Sequence, residues 1–542
     1  MAYIYRSLLQ LWVFSARPAC LPAGAWRYEH IDRSSGASSS LLHCIGWWGL
    51  FHPSSMEEDS ACRDDGGGGP RSGSGGADLI SSLPDDVIIL VLVRLRCARA
   101  AARTSLLARR WRGLWTRLPD LIFRKVVPSL LLAALSSLIP GGTSLSLLDI
   151  HVPANLVSDP RTGQATDVSS LLYAAAWLSP ATFRFNHSQQ LVYPYVDLYT
   201  YFHRATSIEL HATSIQLYDK FLGYVHPRFE LPELQSLSLY ACRVNLADLV
   251  PCCPRLHVLR LADAYEISIH SASLEELVVE NNVIELWTGR VHVETPVLKR
   301  LTMFLRTRGD LCVSISVPPL VEKVSWRCLY SGAVAGLGVW GLLAARLETE
   351  ESNVQQGDHR ARVLCLHMFA RYPINYRGVE AGFATEIEKH MVTDFSGLEV
   401  HLTTPHHVFG AFLLRLLALP RIRTAIRSLK IVLQRSEMKD ICTPLVNCSC
   451  DEPKNWRTQT ISLTTLEKVE IEGFEREDHE FDFLKLIFRC APMLERVSLQ
   501  LSEGFTPNDD WCTKVHHIFM AYPSMECTID RSPDKQVQRT CS

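Results

Sequence analysis

A short apolar motif recurs along most of this chain and limits what the chain can fold into. In each copy, apolar residues stand at the first, fourth and sixth positions, as at 234, 237 and 239. The final two-residue step is the alternation of a β-strand with one buried face. The clearest copies begin at Leu234, Leu256, Leu274 and Leu298. These starts lie 22, 18 and 24 residues apart, so we expect one short strand and one return segment of variable length in each copy.

Fainter copies of the motif extend the pattern in both directions. They begin at Leu145, Ala205, Val321, Ala361, Phe395 and Ile426. A unit of this size cannot bury its own apolar edge, so neighbouring units must stack to form one continuous core. The return segments 246–249 and 483–489 have helical spacing. The pattern therefore predicts an α/β fold, in which a curved parallel sheet is joined by helical or irregular return segments.

Two residues strengthen the repeat interpretation. Cys242 and Asn282 each stand three positions after the last apolar residue of a copy. The pattern resembles the leucine-rich repeat, which places at this point a Cys or Asn that bonds the backbone of the turn. The resemblance implies a solenoid over residues 126–440, with the side chains between the repeat leucines on its concave face. Those side chains belong to Ser236, Ser238, His257, Arg260, Glu276, Val278, Lys299 and Thr302. Their mixed charge favours neither an acidic nor a basic ligand, and the target is unknown from the sequence.

A different kind of segment precedes the repeats, at residues 78–125. Pro84 followed by Asp85 and Asp86 is typical of a helix start, because the first turn needs no N–H there and acids favour the positive end of the helix dipole. Apolar residues then recur at steps of three and four, which predicts two or three short amphipathic helices. Residues 128–139 predict one more apolar helix. Because the short segment 78–125 cannot bury this much apolar surface alone, we expect it to have a partner.

The 78–125 segment resembles the F-box. The resemblance rests on the Leu83-Pro84 start, the Val91-Leu92 pair and an ending at 107–111 that reads Leu-Ala-Arg-Arg-Trp. It implies an all-helical module that docks onto the Skp adaptor of a cullin-based ubiquitin ligase. The adaptor-facing residues implied by motif position are Leu83, Pro84, Val91, Leu92, Leu95, Leu107 and Trp111. The sequence does not separate interface residues from core residues within this set.

The C-terminal part resembles the plant FBD region. The resemblance rests on the segment 448–456, on the apolar spacing at 463–474, and on Cys490-x-Pro492-x-Leu494. Over residues 441–505 we expect two further strand copies that continue and cap the repeats, with 475–480 as a solvated acidic loop. Residues 506–542 are expected to form a C-terminal tail.

The first 77 residues differ in composition from the rest of the chain. Residues 1–55 are expected to be an extension without stable structure. Arginines at 6, 17 and 27, with no acid before Glu29, keep a transit or signal peptide open as the alternative. Residues 56–77 are rich in Gly and Ser, which predicts a flexible linker. A phosphate-binding loop is disfavoured because this stretch lacks the Gly-Lys-Ser/Thr ending.

Composition limits the classes of partner. The formal net charge of -2 gives no global field that would attract nucleic acid or an anionic membrane. The arginines between 94 and 112 are expected to form the polar side of the helices rather than a nucleic-acid surface. No run of eighteen apolar residues is present, so we expect no membrane span. The seventeen cysteines lack paired spacing, which indicates a reducing compartment and hence the cytoplasm and/or the nucleus.

No group of residues has the spacing that catalysis requires. Cys442, Cys448 and Cys450 invite a zinc site, but no second ligand pair stands close by in the sequence. The pairs at 406–407 and 516–517 are expected to be surface histidines, since no glutamate stands at metalloprotease spacing. There is no Gly-x-Ser-x-Gly elbow. We therefore expect no enzyme activity, no metal ion and no cofactor.

The sequence as a whole favours a substrate-recognition adaptor of a Skp-cullin-F-box ubiquitin ligase. The helical module would dock the Skp adaptor, and the repeats would hold a target protein near the ubiquitin-transferring subunits. The alternative is a non-catalytic leucine-rich-repeat scaffold unconnected with ubiquitin transfer. In that case the 78–125 segment would be a cap that shields the first strand of the repeats.

Overall fold

The computed structural model describes the greater part of the chain. The described residues are 83–138, 145–152, 168–187, 195–197, 202–211, 214–216, 230–283, 287–309, 311–316, 318, 321–331, 340–350, 361–370, 382–404, 408–435, 451, 453–475, 477–502 and 505–530. The chain divides into two compact units, 1–88 and 89–542. The predicted extension and linker lie outside the described residues, as do His406, His407, Cys442, Cys448 and Cys450.

Most helices of the described residues are short. The α-helices are α1 (Asp85–Val93), α2 (Ala98–Arg103), α3 (Pro128–Leu138), α4 (Val168–Trp177), α5 (Leu246–Leu249), α6 (Phe383–Glu388), α7 (Gly410–Leu417), α8 (Pro420–Ala425), α9 (Asp478–Cys490) and α10 (Asp509–Met520). Single 3-10 turns lie at Thr104–Leu106, Arg109–Trp111, Leu114–Arg117, Val250–Cys252 and Lys454–Thr458. Within the described residues, no helix has the length and apolar character that crossing a bilayer requires.

The strands outnumber the helices and follow one another along most of the chain. They are β1 (Asp120–Arg124), β2 (Leu147–Val152), β3 (Thr182–His187), β4 (Tyr195–Asp197), β5 (Ser207–His211), β6 (Ser214–Gln216), β7 (Ser236–Tyr240), β8 (Val258–Ala262), β9 (Glu266–His270), β10 (Glu276–Glu280), β11 (Arg290–Glu294), β12 (Arg300–Thr307), β13 (Cys312–Ser316), β14 (Lys323–Tyr330), β15 (Trp340–Thr349), β16 (Arg362–Ala370), β17 (Gly397–Thr404), β18 (Ser428–Arg435), β19 (Lys468–Phe474), β20 (Arg496–Leu501) and β21 (Glu526–Asp530).

One long sheet contains sixteen of these strands. Its order is β1-β2-β3-β5-β7-β8-β10-β12-β14-β15-β16-β17-β18-β19-β20-β21. Leu277 of β10 lies between Leu259 of β8 and Leu301 of β12, and all three are fully buried. Burying one such leucine contributes about 1.5–3 kcal/mol, so the leucine rows stabilise the stack of strands. The intervening residues lie on the other face of the sheet, which we call the open face.

The repeat motif predicts twelve of these sixteen strands, and β1, β3, β15 and β21 contain no copy of it. Every copy identified in the sequence, from the one at Leu145 to the one at Leu494, contains a strand of the long sheet. The helices predicted at 128–139, 246–249 and 483–489 correspond to α3, α5 and α9. The mixed α/β architecture with a mainly parallel sheet is therefore confirmed. The structure does not show the curvature that was predicted for the sheet.

Strand β15 departs from the predicted parallel arrangement. It pairs antiparallel with both β14 and β16. Strand β14 ends at Tyr330 and β15 begins at Trp340, which leaves nine residues between them. A parallel crossover needs a dozen or more residues, so this connection can only form a hairpin.

Three return segments also differ from the prediction, because they contain strands instead of helices. Strands β9, β11 and β13 pair in parallel as a separate three-stranded sheet. Their sequences alternate strictly, as in Glu-Ile-Ser-Ile-His at 266–270, and the isoleucines of β9 are fully buried. Period-two alternation of β-branched residues favours a strand over a helix.

Three boundaries need correction. The final residues of the predicted helical module form β1, whose alternating burial suits a strand paired with β2. The expected acidic loop includes the start of α9, where Glu480 is fully buried and accepts a hydrogen bond from the Glu475 N–H at 2.9 Å. The expected tail contains α10 and β21, and Trp511 of α10 is buried and donates to the Glu475 carbonyl at 2.7 Å.

The Cys or Asn that bonds the turn is correctly predicted in one of two copies. The Cys242 thiol donates to the carbonyls of Leu210 and Tyr240. In the other copy this role falls to Asn281, which is fully buried, while Asn282 is exposed. The Asn281 amide bonds both backbone groups of Ala264 and donates to the Thr288 hydroxyl at 2.7 Å.

The one-residue difference between the copies has a backbone cause. Ala241, immediately before Cys242, has a φ of 51°, and this left-handed turn rotates the next side chain inward. No such residue precedes Asn281. Strand alternation therefore continues inward from Leu277 and Val279 to position 281.

Candidate functional site

The first candidate site is the helical segment with the F-box-like sequence. In the first unit the structure describes 83–88, where α1 begins at Asp85 as the sequence predicts. The Pro84 carbonyl accepts hydrogen bonds from the amides of Val87 and Ile88, each at 3.1 Å. Asp85 and Asp86 lie in the first turn, where negative charge is favourable.

Burial separates the seven predicted adaptor-facing residues into three groups. Leu92 and Trp111 retain 1% and 4% of their surface, so both are core residues of the chain, a distinction that the sequence left open. Pro84 and Leu107 are exposed. Leu83, Val91 and Leu95 are half-buried. The inward-facing positions of α1 are Ile88 and Leu92, four residues apart, which leaves Leu90 largely exposed.

The sequence reasoning missed an apolar groove beside this segment, in the second unit. It has a volume of about 360 Å³ and is bordered by α2, the 3-10 turns at 104–106 and 114–117, the end of β1 and α3. Its apolar lining includes Leu106, Trp115, Phe123 and Leu130. Leu106 and Leu130 are 87% and 65% exposed. None of the seven predicted residues lines the groove. Exposed leucines beside an apolar groove are typical of a protein-binding surface.

The second candidate site is the open face of the long sheet. Of the residues predicted there, Arg260, Glu276 and Thr302 are half-buried, while His257 and Lys299 are exposed. Ser238 lies between Leu237 and Leu239 on the open face, as predicted, but it is buried there.

Charges on the open face pair across strands. Glu276 accepts from Arg260 at 2.5 Å and from Nε of Arg300 at 2.9 Å. Further along the sheet, Arg327 bonds Glu348 at 2.6 Å and Lys430 bonds Glu472 at 2.8 Å. Such pairs neutralise one another locally, so they give this face a pattern of alternating charge instead of a single sign.

A cluster of potential metal ligands lies on the open face at β16 and β17. Cys365 Sγ lies 3.4 Å from His367 Nε2, and the rings of His367 and His401 stack with centroids 4.2 Å apart. His401 Nε2 lies 2.7 Å from a Glu399 carboxylate oxygen. Burial raises the pKa of the Cys365 thiol to about 11. Burial, with His401 adding to it, lowers the pKa of His367.

A polar cluster lies behind β14, centred on the fully buried side chains of Trp326 and His390. The Trp326 indole N–H donates to Nδ1 of His390 at 3.2 Å, and the Tyr330 hydroxyl lies 2.7 Å from Nε2 of the same ring. Tyr330 also donates to Glu386 at 2.6 Å, and Lys389 donates to the other carboxylate oxygen at 2.7 Å. Burial lowers the pKa of His390 to about 3 and raises that of Tyr330. The groups satisfy one another away from solvent, which suits a structural role.

The C-terminal repeats contain a second internally bonded group, around Trp456. Its indole N–H donates to Asp451 at 2.7 Å, and the Arg457 guanidinium lies over its ring and bonds Asp451 and Asp482. A Cβ at position 410 would collide with the Trp456 ring, so glycine is required there. These contacts join the segment before β19 to α7 and α9.

The histidines considered as catalytic candidates show no site geometry where they are described. His516 and His517 are exposed on α10, as expected of surface histidines. None of the cysteines that the structure describes forms a disulfide bond.

Comparison with known proteins bears on the C-terminal region and on the family. The family model of the FBD domain matches residues 462–499, which include β19, α9 and most of β20. Over 95 residues the chain is 32% identical to an F-box protein from Arabidopsis thaliana. These aligned residues make up 17% of this chain and 19% of that relative. The alignment thus spans less than a fifth of the length of the curated relative. The chain is thus similar to a plant F-box protein over a short stretch and carries an FBD region at residues 462–499.

Proposed function

We propose that this protein is a non-catalytic substrate-recognition adaptor of a Skp-cullin-F-box ubiquitin ligase. The helical segment would dock the Skp adaptor, and the open face of the long sheet would hold a target protein. Ubiquitin transfer would then gain from proximity, because target and conjugating enzyme are held in one assembly. The cytoplasm and/or the nucleus is the proposed location.

The apolar surface of the helical segment is the observation that carries this proposal. Leu106 and Leu107 are 87% and 50% exposed on consecutive positions, and Leu106 also borders the groove. A partner that covers these leucines would remove their apolar surface from water at about 25 cal/mol per Å². The resemblance to F-box proteins supports the choice of a Skp adaptor as this partner.

Co-purification of the full chain with a Skp adaptor tests the docking. We expect Leu106→Ser with Leu107→Ser to weaken binding by tenfold or more, since truncating a central interface residue typically costs 1–2 kcal/mol or more. Both side chains are exposed, so this variant should unfold at the temperature of the wild type. Met493→Ser, at another exposed apolar residue, is the matched control and should bind normally. Equal binding by all three proteins would refute the docking proposal.

The motif residues provide a second variant. Leu83→Ala with Pro84→Ala should also abolish co-purification while the sheet stays folded. Substitutions at Leu92 and Trp111 are unsuitable for this purpose, because both residues are buried and their loss would disturb the fold.

One observation favours the alternative, in which the helical segment is a cap. Strand β1 is the edge of the long sheet, α2 lies against it, and Arg99 Nη1 donates to the Lys125 carbonyl at 3.3 Å. A cap protects an otherwise unpaired edge. Under this alternative, deletion of residues 83–117 unfolds the sheet and no Skp adaptor binds the full chain.

A further inference from the structure

The strongest unassigned site is the group formed by Cys365, His367 and His401. Cys365 and His367 are two residues apart on β16, so both side chains lie on the same face. The register of β16 and β17 places His401 directly opposite His367. One ligand atom from each of the three residues lies within 4.8 Å of the others. The sheet register therefore assembles three potential ligands from two strands.

The spacing of these atoms fits a tetrahedral ion. Zinc binds thiolate sulfur at about 2.3 Å and imidazole nitrogen at about 2.0–2.1 Å, which separates two such ligands by about 3.6 Å. The observed separation between Cys365 Sγ and His367 Nε2 is 3.4 Å. The rings of His367 and His401 are nearly parallel at 15°, so one imidazole must turn about its broad χ2 torsion to direct its lone pair at the ion.

A supporting carboxylate is already in place. Glu399 lies 2.7 Å from Nε2 of His401, and no group among the described residues hydrogen-bonds to Nδ1, which is buried. Metal-binding histidines commonly donate one ring N–H to a carboxylate and use the other nitrogen as ligand. The bond to Glu399 thus leaves Nδ1 of His401 available for an ion.

A second cluster, on the three-stranded sheet of β9, β11 and β13, is a weaker candidate. His270 and His292 approach at 3.0 Å between their Nε2 atoms, with Glu294 at 3.5 Å from His270. This group has no thiolate, and His270 and Glu294 are exposed. The two imidazoles also satisfy one another through a single hydrogen bond. The cluster of His270, His292 and Glu294 therefore serves as an internal control.

We propose that Cys365, His367 and His401 bind one zinc ion on the open face of the long sheet. Three protein ligands leave a fourth position for water or for a side chain of a bound partner. Glu399 is a positioning residue that orients His401. The site is independent of whether the helical segment docks a Skp adaptor.

Cobalt substitution in the full chain tests the site. The chain is stripped with a chelator and titrated with Co²⁺, which reports thiolate ligation by an intense near-ultraviolet band and tetrahedral geometry by visible bands. We expect both signals to saturate at about one equivalent and to be displaced by Zn²⁺. Saturation without the thiolate band, or no saturable binding at micromolar ion, would overturn the proposal.

Variants identify the ligands. Cys365→Ser should abolish the thiolate band, and His401→Gln should weaken Zn²⁺ binding by at least tenfold. Glu399→Gln should weaken it by about 10- to 100-fold, as loss of a supporting carboxylate does. His401 is on the open face and not in the core, so its variant keeps the test valid if Cys365→Ser fails to fold.

Two control variants complete the design. Cys312→Ser, at an exposed thiol, and the double substitution His270→Gln with His292→Gln should leave the cobalt spectrum unchanged. Loss of the signal in either control, with retention in His401→Gln, would place the ion elsewhere and contradict the assignment.

Discussion

Two stretches of the long sheet use the same strand motif but are connected differently. Between β8 and β14 the return segments contain β9, β11 and β13, and the strands of the long sheet run parallel. Between β14 and β17 the chain reverses through β15, and buried polar groups of Trp326, Tyr330, Glu386 and His390 bond one another. The first stretch is stabilised mainly by apolar burial. The second stretch also depends on His390 being neutral. The two stretches should therefore respond differently to substitution and to pH.

The substitution expected to lower stability most is that of Trp326, which lies in the buried core and donates a hydrogen bond to His390. Trp326→Ala should lower the free energy of unfolding by about 3–5 kcal/mol, because it opens a cavity and removes a hydrogen-bond partner from His390. Val278→Ala, on the open face of β10, is the control and should cost less than about 1 kcal/mol. Urea unfolding measures both. Similar losses for the two variants would contradict the assignment of Trp326 to the core.

The second expected difference is in the response to acid, which should destabilise the stretch that contains His390. The pKa of His390 is about 3 in the folded chain, below the ordinary value of about 6.5, so the unfolded chain takes up this proton first. The stability linked to His390 is therefore complete above pH 6.5 and is lost as pH falls toward 3. Between pH 7.5 and pH 5 the loss should be about 2 kcal/mol.

Two variants isolate this contribution of His390. In His390→Gln, which cannot ionise, the free energy of unfolding should fall less between pH 7.5 and pH 5 than in the wild type. His257→Gln, at an exposed histidine beside β8, should keep the wild-type pH dependence. If His390→Gln retained the full pH dependence, another group would be responsible.

Within the first stretch, the neighbouring residues Asn281 and Asn282 should differ in how much they contribute to stability. Asn281→Ala should cost about 1–3 kcal/mol, because it leaves the backbone groups of Ala264 and the Thr288 hydroxyl without their amide partner. Asn282→Ala should change stability by no more than about 0.5 kcal/mol, since that side chain is exposed. Thermal unfolding of the two variants measures the difference, and the reverse order would restore the prediction made for Asn282.

Local patterns in the sequence were enough to predict twelve of the sixteen strands of the long sheet, because each copy of the motif specifies its own buried face. The direction of β15 depends on the length of its connection, which the motif does not contain. The contact between Trp326 and His390 joins residues 64 positions apart, and no local pattern reports it. The groove beside Leu106 is formed by five separate elements, and no local sequence pattern reports it either.

The ligand cluster is a different case, because a signal was present. The motif copies that begin at Ala361 and Phe395 place His367 and His401 one position after their last apolar residues. Aligning the two copies puts these histidines side by side, and Cys365 two positions before His367 on the same face. Reading repeats against each other would have indicated the site.

Hydrogen exchange of the full chain, with and without a Skp adaptor, tests the central claim most directly. We predict slower exchange in residues 83–111 when the adaptor is bound, with no change in strands β2 to β21. Unchanged exchange in residues 83–111 at saturating adaptor, or protection confined to the long sheet, would contradict the proposal that the helical segment is the docking site.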